Sequence, residues 1–325
     1  MSHKLTFALL IVTLFMAACG PAQTPAPTSV ATQPPATEQP TAALQPTAAP
    51  ITLTDGLGRT VTLKSPAQRV VSLAASNTEI LYAVGAGAQV VGRDEASDYP
   101  EAVKSIPTVG GWSGFSSESI VALQPDLVLA GGINPPELVA SLEQLGLTVY
   151  LLPNPVTLEE MYVNLEKVGA LTGHEADAAA LVESLKGRVA AVDARIATVN
   201  TKPSVYYELD ATDPVKPYTA GPGTFVDLLI QRAGGVNFGA QLQSQWAQIS
   251  LEQLVVSNPD LIILGDSAYG ETPEKVAARP GWETLSAVKE GKVYPFDDNL
   301  VSRPGPRLVD GLEALAKLLH PEVYK

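Results

Sequence analysis

An internal repeat constrains this chain more than any other feature of its sequence. Residues 116–131, SSESIVALQPDLVLAG, align without a gap to residues 250–265, SLEQLVVSNPDLIILG. Each copy is typical of a short helix, a Pro-Asp stop and a buried apolar strand. A weaker similarity links residues 78–92 to residues 224–239. Two copies of one α/β unit predict two lobes of similar build; the alternative is convergence, since PDL before an apolar strand is common.

Short apolar segments alternate with helical ones along the chain. The predicted strands lie at residues 69–74, 90–93, 126–130, 148–152, 204–209, 260–264 and 292–296. Residues 51–63 contain two Thr-rich segments around Asp55-Gly56, which is typical of a hairpin. Buried strands that alternate with helices predict an α/β fold with central, mostly parallel sheets covered on both faces.

One long helix is predicted between the two halves, over residues 174–199. Its apolar residues follow one another in steps of three and four, while charged residues lie off that line. A preceding helix starts at Thr157, with Glu160 completing a capping box. We interpret the long helix as a strut between an N-terminal lobe at 51–173 and a C-terminal lobe at 201–325, with 174–200 as the connection. The alternative is an ordinary surface helix of one domain.

The first fifty residues indicate export. Residues 1–19 have a basic start and an apolar run too short to span a bilayer, as in a secretory signal. Met16-Ala17-Ala18 precede Cys19, a pattern that resembles a bacterial lipobox, in which the cysteine is lipidated; a plain cleaved signal is the alternative. Residues 20–50 are almost entirely Pro, Thr, Ala and Gln, which predicts a disordered tether. Together these segments predict a protein lipid-anchored at the outer face of the cytoplasmic membrane.

Composition excludes several classes of protein. The formal charge of −13 argues against nucleic-acid binding, which needs a basic face. A single cysteine excludes a disulfide framework and multi-cysteine metal sites. Three histidines, His3, His174 and His320, are too few for the His-rich sites that hold bare transition metals. We therefore expect neither a resident metal nor a cofactor.

Several motifs together carry a resemblance to a known family. They are DGLGRTV at 55–61, RVVSLAASNTEILYAVGAGAQVVG at 69–92, SDYP at 97–100, the repeated E…PDL unit and RPGPRLVDGLEALAKLLHPE at 303–322. The chain resembles the substrate-binding lipoproteins of ABC importers for iron–siderophore, haem and cobalamin. The resemblance implies two Rossmann-like lobes joined by a long helix, with a cobalamin or ferric siderophore held in the cleft between them. It also implies a monomer without chemistry of its own that delivers the ligand to an ABC permease.

The resemblance places ligand contacts at the strand–helix turn of Ser76 and Asn77. Ser76-x-x-Glu79 also has the spacing of a capping box. Trp112 and Trp246 each lie six residues before a repeat glutamate, and aromatic residues from two lobes would clamp a flat ligand. Tryptophans at matching positions flank the corrinoid in cobalamin-binding members of the family. Core packing is the alternative for both.

Polar candidates come mainly from the C-terminal half. Arg93, Arg303 and Arg307 are cationic candidates for an anionic ligand group. Asp298 and Arg303 match the region where the family places polar ligand contacts, and they are also the one cluster that an enzyme of related fold would use. A haem receptor of the same class is a further alternative. It needs an axial ligand, for which Tyr99, Tyr218 and Met161 are candidates.

Glu118 and Glu252 occupy equivalent positions in the two repeats. The resemblance implies that such glutamates, one on each lobe, pair with arginines of the permease dimer. The alternative is that each carboxylate only stabilises a helix N-terminus through the helix dipole.

Overall fold

The computed structural model describes residues 49–325. Cys19, the predicted signal peptide and all but the last two residues of the predicted tether lie outside this described part. The strands are β1 (Ile51–Thr54), β2 (Thr60–Leu63), β3 (Val70–Ser72), β4 (Val90–Arg93), β5 (Gly110–Gly111), β6 (Gly114–Phe115), β7 (Leu127–Gly131), β8 (Val149–Leu152), β9 (Ser204–Asp210), β10 (Tyr218–Ala220), β11 (Val236–Asn237), β12 (Trp246–Gln248), β13 (Leu261–Leu264) and β14 (Val293–Pro295). The helices are α1 (Ala75–Ala83), α2 (Ser117–Ala122), α3 (Pro136–Gln144), α4 (Leu158–Thr172), α5 (Glu175–Ile196), α6 (Phe225–Arg232), α7 (Leu251–Ser257), α8 (Pro273–Ala277), α9 (Ser286–Lys289), α10 (Asn299–Ser302) and α11 (Leu308–Leu319).

The N-terminal lobe contains a four-stranded parallel sheet in the order β4-β3-β7-β8. β3, β7 and β8 are buried along their whole length, because apolar clusters cover both faces of the sheet. The predicted hairpin is present as β1 and β2, with Ile51 opposite Leu63. It joins the end of the sheet, since the amide of Gly56 donates to the carbonyl of Leu151 in β8.

The C-terminal lobe has a mixed sheet of six strands. β9, β13 and β14 are parallel neighbours, and β11 pairs in parallel with the start of β9. β10 and β12 extend the other side of β9 as an antiparallel ribbon. The strands β10, β11 and β12, each two or three residues long, were not among those predicted from the sequence.

The long helix α5 connects the two lobes as a strut. Its buried residues recur every three or four positions, as the sequence pattern predicts, and they belong to the same apolar cluster as α4 of the first lobe and α11 of the second. Arg188 of α5 donates to Asp310 and Glu313 of α11, at distances between 2.6 and 2.9 Å. The 22 residues span about 33 Å at 1.5 Å per residue.

The seven predicted strands all form, with ends within two residues of the expected positions. Thr157 caps α4 by accepting from the amide of Glu160, as expected. In a capping box the Glu160 carboxylate would also accept from the amide of Thr157. Here it accepts from the amide of Val156 instead. Along residues 49–325, no helix combines the length and the apolar character needed to cross a membrane.

Candidate functional site

Segments that follow the carboxyl ends of parallel strands in the two lobes contact each other. The loop that follows β4 in the first lobe contacts the segment that follows α10 in the second. Arg303 Nη1 lies 2.6 Å from the carboxylate of Asp98, and its Nη2 donates to the carbonyl of Ala96 at 3.3 Å. In open α/β sheets, ligands bind outside the carboxyl ends of the strands. The fold therefore defines a two-lobed protein whose candidate ligand site lies between these edges.

A buried ionic cluster joins the lobes at this point. Glu79 of α1 has a side chain only 1% exposed, and its Oε1 accepts from Arg303 at 2.9 Å and from Arg307 at 3.0 Å. Arg307 also pairs with Asp297 at 3.2 Å. Burial raises the pKa of Glu79, while the hydrogen bond from Arg303 acts in the opposite direction. Burial also raises the pKa of Asp98, but pairing with Arg303 outweighs this and leaves the pKa below its ordinary value.

This cluster corrects the sequence interpretation of Ser76 and Glu79. The N-cap of α1 is Ala74, without a side-chain cap, so the predicted capping box is wrong. Ser76 is half-buried at the first turn of α1. Asn77 is 2% exposed and donates to the carbonyl of Leu129 in β7 at 3.2 Å, which fixes the turn against the sheet.

Arg93 holds together the loop that follows β4. Its guanidinium donates to four backbone carbonyls, those of Val103, Ile106, Asp94 and Ser97. Within the same loop, the Ser97 hydroxyl donates to the Asp94 carboxylate. Burial raises the pKa of Asp94. These contacts engage Nε and Nη1 of Arg93 within the protein and tie the loop together.

Trp112 projects from the N-terminal lobe. It lies at the turn between β5 and β6 and is 98% exposed. Its amide donates to the carboxylate of Glu95 at 2.8 Å, which ties the turn to the loop after β4. The exposure excludes core packing, the alternative considered from the sequence.

Trp246 and Tyr218 project from the C-terminal lobe, 53% and 41% exposed. Trp246 pairs with Ala220 and Tyr218 with Gln248 across the antiparallel ribbon of β10 and β12. Residues directly opposite each other, and residues two apart on a strand, share one face of a ribbon. Trp246 and Tyr218 are therefore diagonal neighbours on the same face. Core packing is excluded for Trp246 as well.

Asp298 and Arg303, which the sequence interpretation grouped together, have separate partners within residues 49–325. Asp298 accepts a hydrogen bond from the hydroxyl of the buried Tyr207 at 2.8 Å, whereas Arg303 pairs with Glu79 and Asp98. Among the haem-ligand candidates, Met161 is fully buried in the core and cannot reach the cleft. Tyr99 is 49% exposed, but the Arg307 guanidinium lies 4.3 Å from the centre of its ring.

The sequence interpretation missed a buried charged cluster at the end of β9. Glu208 is fully buried and accepts two hydrogen bonds from Arg279, at 2.7 and 2.8 Å. Asp266 lies close by and, together with Glu271, lines a cavity of 360 Å³ at this edge. Burial, then the charge of Glu208, raises the pKa of Asp266 to about 7. The sequence feature that could have indicated this cluster is a glutamate inside the apolar run of β9. No metal-binding arrangement of His, Cys, Asp or Glu occurs within residues 49–325.

Glu118 and Glu252 lie at equivalent positions on the two lobes. Each is exposed and is the second residue of its helix, α2 or α7. Ser116 and Ser250 cap these helices by accepting from the amides of Ser119 and Gln253, both at 3.1 Å. The two carboxylates make no ion pair with other residues in the described part of the chain.

Residues 70–300 match the periplasmic binding protein family, and the chain belongs to that family. It is 34% identical to an uncharacterised ABC transporter substrate-binding lipoprotein, YvrC, of Bacillus subtilis, over 85% of this chain and 87% of that one. It is 33% identical to the cobalamin-binding protein of Halobacterium salinarum, over 98% and 85%. The periplasmic haem-binding protein RhuT from Roseiflexus sp. RS-1 superposes with a TM-score of 0.71 and 27% identity, over 79% of this chain and 99% of that one. The predicted fold class and family are thus confirmed.

Proposed function

We propose that this substrate-binding protein captures a corrinoid or another metal chelate, such as a ferric siderophore, between its lobes and delivers it to an ABC permease. The observation that carries the proposal is the exposure of aromatic residues on both lobes, Trp112 on one and Trp246 with Tyr218 on the other, which the proposal takes as the two walls of the ligand site. Exposed rings on two walls suit a large, flat ligand, because stacking buries much area at little cost in side-chain entropy. The cobalamin-binding relative supports a corrinoid.

Identifying the ligand is the first test. Native mass spectrometry and an absorbance spectrum of the purified protein distinguish a corrinoid, a haem and a ferric siderophore by mass and colour. Titration with cyanocobalamin should quench tryptophan fluorescence, and Trp112→Ala with Trp246→Ala should remove most of the affinity. Trp282 is fully buried, so its emission in this double variant reports folding. An unchanged dissociation constant in a folded double variant would contradict the aromatic clamp.

A haem receptor is the second candidate, supported by the structural similarity to RhuT and by one side chain. The phenol of Tyr218 is exposed on the same face as Trp246 and is available to bind iron at an axial position. Haemin should then give a shifted Soret band that Tyr218→Phe abolishes and Tyr99→Phe retains. A spectrum unchanged by Tyr218→Phe would exclude this ligation.

Membrane attachment through Cys19 remains part of the proposal. It rests on Met16-Ala17-Ala18 before the cysteine and on the relative named as a lipoprotein. Cys19→Ala should release the protein from membranes. Retention of the variant in the membrane fraction after a carbonate wash would contradict lipid anchoring.

Docking to a permease dimer is assigned to Glu118 and Glu252. The equivalent positions and exposure of the two carboxylates support this role, because a two-fold partner needs one contact on each lobe. Exposed ion pairs contribute only about 0–1 kcal/mol each, so these glutamates would orient the receptor more than hold it.

A further inference from the structure

The arginines near the cleft are already paired within the protein. Arg303 lies against Glu79 and Asp98, and Arg307 against Glu79 and Asp297. Their side chains are only 15% and 13% exposed. The cluster has three carboxylates for two guanidinium groups, so it carries one net negative charge. An incoming carboxylate therefore meets repulsion instead of a free cation.

Glu79 is the residue on which this arrangement depends. It comes from the opposite lobe and is shared by both arginines, while Asp98 and Asp297 each pair with one and are about half exposed. Buried charge pairs are screened by solvent much less than exposed ones. Removing the charge of Glu79 would leave both guanidinium groups short of a partner, and a ligand anion could then take its place.

We propose that Glu79 determines the ligand class of the cleft: by pairing with Arg303 and Arg307 it excludes ligands that direct carboxylates at them and favours ligands whose polar groups there are uncharged, such as amides. The inference rests on the proposed function, that the ligand binds between the lobes. Glu79 of the Ser76-x-x-Glu79 segment contacts Arg303 of the RPGPR segment, although 224 residues separate them in the sequence. The proposal therefore gives both segments a shared role in ligand selection.

Two corrinoid probes with the same ring test the proposal. Dicyanocobinamide carries amide side chains, and dicyanocobyrinic acid carries carboxylates at those positions. The full-length protein should bind the amide probe at least about tenfold more tightly, measured by tryptophan quenching, because the carboxylates of the other probe find no free partner. Glu79→Gln should reduce this preference about tenfold, mainly by strengthening the binding of the carboxylate probe.

Matched variants locate the effect. Adding Arg303→Met to Glu79→Gln should abolish the stronger binding of the carboxylate probe, since that binding requires the guanidinium that Glu79 no longer pairs with. Lys317→Met, in an exposed side chain near the C-terminal end of α11, is the control and should leave the preference within about twofold. If Glu79→Gln does not fold, Asp98→Asn, which removes one exposed partner of Arg303, should shift the preference in the same direction by a smaller factor.

The outcomes separate the two proposals. A wild-type preference for the carboxylate probe, or a folded Glu79→Gln variant with no gain for it, would overturn the role of Glu79 while leaving the cleft as the ligand site. If porphyrins bind and corrinoids do not, the corrinoid assignment is wrong. The role of Glu79 is then tested with two iron porphyrins, and the protein should bind the tetracationic one more tightly than the tetra-anionic one. Failure to bind any of these probes, or a ferric siderophore, would contradict the proposed function itself.

Discussion

The two copies of the repeat build the same local structure in both lobes. Each helix is capped by a serine, Ser116 or Ser250. Each copy then turns through a left-handed residue before its proline, Gln124 with φ 47° and Asn258 with φ 44°. Such φ values are uncommon outside glycine, so their recurrence at the same repeat position shows that the turn itself is duplicated.

The repeat aspartates also have the same role. Asp126 accepts from the amides of Gln68 and Arg69, just before β3, at 2.8 and 2.9 Å. Asp260 accepts from the amide of Ser204, the first residue of β9, at 2.8 Å. Each carboxylate thus links the start of its own strand to the start of the neighbouring strand.

The lobes differ where the strands end. Trp112 projects from a turn between two-residue strands, while Trp246 lies within an antiparallel ribbon. The C-terminal lobe buries Glu208 with Arg279, whereas Arg93 in the first lobe is bound by backbone carbonyls. The repeat thus fixes the framework of both lobes, while the residues around the strand ends differ from one lobe to the other.

The largest expected effect comes from the buried ion pair of the C-terminal lobe. Arg279→Met leaves Glu208 buried without its partner, which should cost about 3–5 kcal/mol of the free energy of unfolding. Trp282 is fully buried, so denaturation of the variant can be followed by tryptophan fluorescence. Arg232→Met, in a partly exposed pair with Asp193, is the control and should cost about 0–1 kcal/mol. Equal losses in both variants would contradict the importance given to burial.

Asp266 should make the stability depend on pH. Its pKa is raised from 3.8 to about 7 in the folded protein. Between those values the folded state keeps a proton that the unfolded chain has lost, so stability should fall as the pH rises, by up to about 1.4 kcal/mol per pH unit. Asp266→Asn should flatten this fall and stabilise the protein above pH 7, as measured by Tm. The control Asp210→Asn, in an exposed residue lining the same cavity, should retain the fall; an unchanged profile in Asp266→Asn would contradict the assignment.

The repeat aspartates test whether the two frameworks are equivalent. Asp126→Ala leaves the amides of Gln68 and Arg69 without their acceptor, and Asp260→Ala leaves the amide and hydroxyl of Ser204 without theirs. Each variant should cost about 1–3 kcal/mol in denaturant unfolding. The two losses should agree within about 0.5 kcal/mol if the framework is duplicated energetically as well as geometrically. A large loss of stability in one variant and none in the other would contradict the equivalence of the two frameworks.

Local patterns explain how much the sequence could predict. Short-range patterns predict the strut, the repeat and the strand positions. These patterns are apolar runs and spacings of two to four residues, which can be recognised within a short stretch of sequence. The Ser76-x-x-Glu79 spacing was misleading, because a capping box is defined by local order while Glu79 is used by arginines far away in the sequence. The pairing of Arg303 with Glu79 and Asp98 depends on how the lobes meet, which no local pattern encodes.

Single aromatic variants sharpen the difference between the cleft walls. Trp112→Ala and Trp246→Ala should each weaken ligand binding by at least about 0.5–1.5 kcal/mol, the usual contribution of one aromatic contact beyond its buried area. Stability should change little, since both side chains are largely exposed. Leu145→Ala, in an exposed side chain just after α3, is a control for loss of an exposed apolar side chain away from the carboxyl ends of the strands. If only one tryptophan matters, the ligand stacks on one lobe and the clamp is wrong.

The smallest effect per residue is expected at the docking glutamates. Glu118→Ala with Glu252→Ala should leave ligand affinity intact but lower transport in vesicles reconstituted with the permease, if these exposed side chains are the matched contacts that we propose for the two lobes. Glu137→Ala, which removes an exposed glutamate from the first turn of α3, is the control and should leave transport unchanged.

Charge reversal and salt give a second test of the docking glutamates. Replacing both glutamates by Lys should lower transport more than replacing both by Ala, since repulsion from permease arginines adds to the loss of the ion pairs. Salt should weaken the wild-type complex more than the double alanine complex, because exposed charges are screened. Lost ligand binding would move the glutamates into the cleft, and full transport by the Lys pair would exclude them from the docking surface.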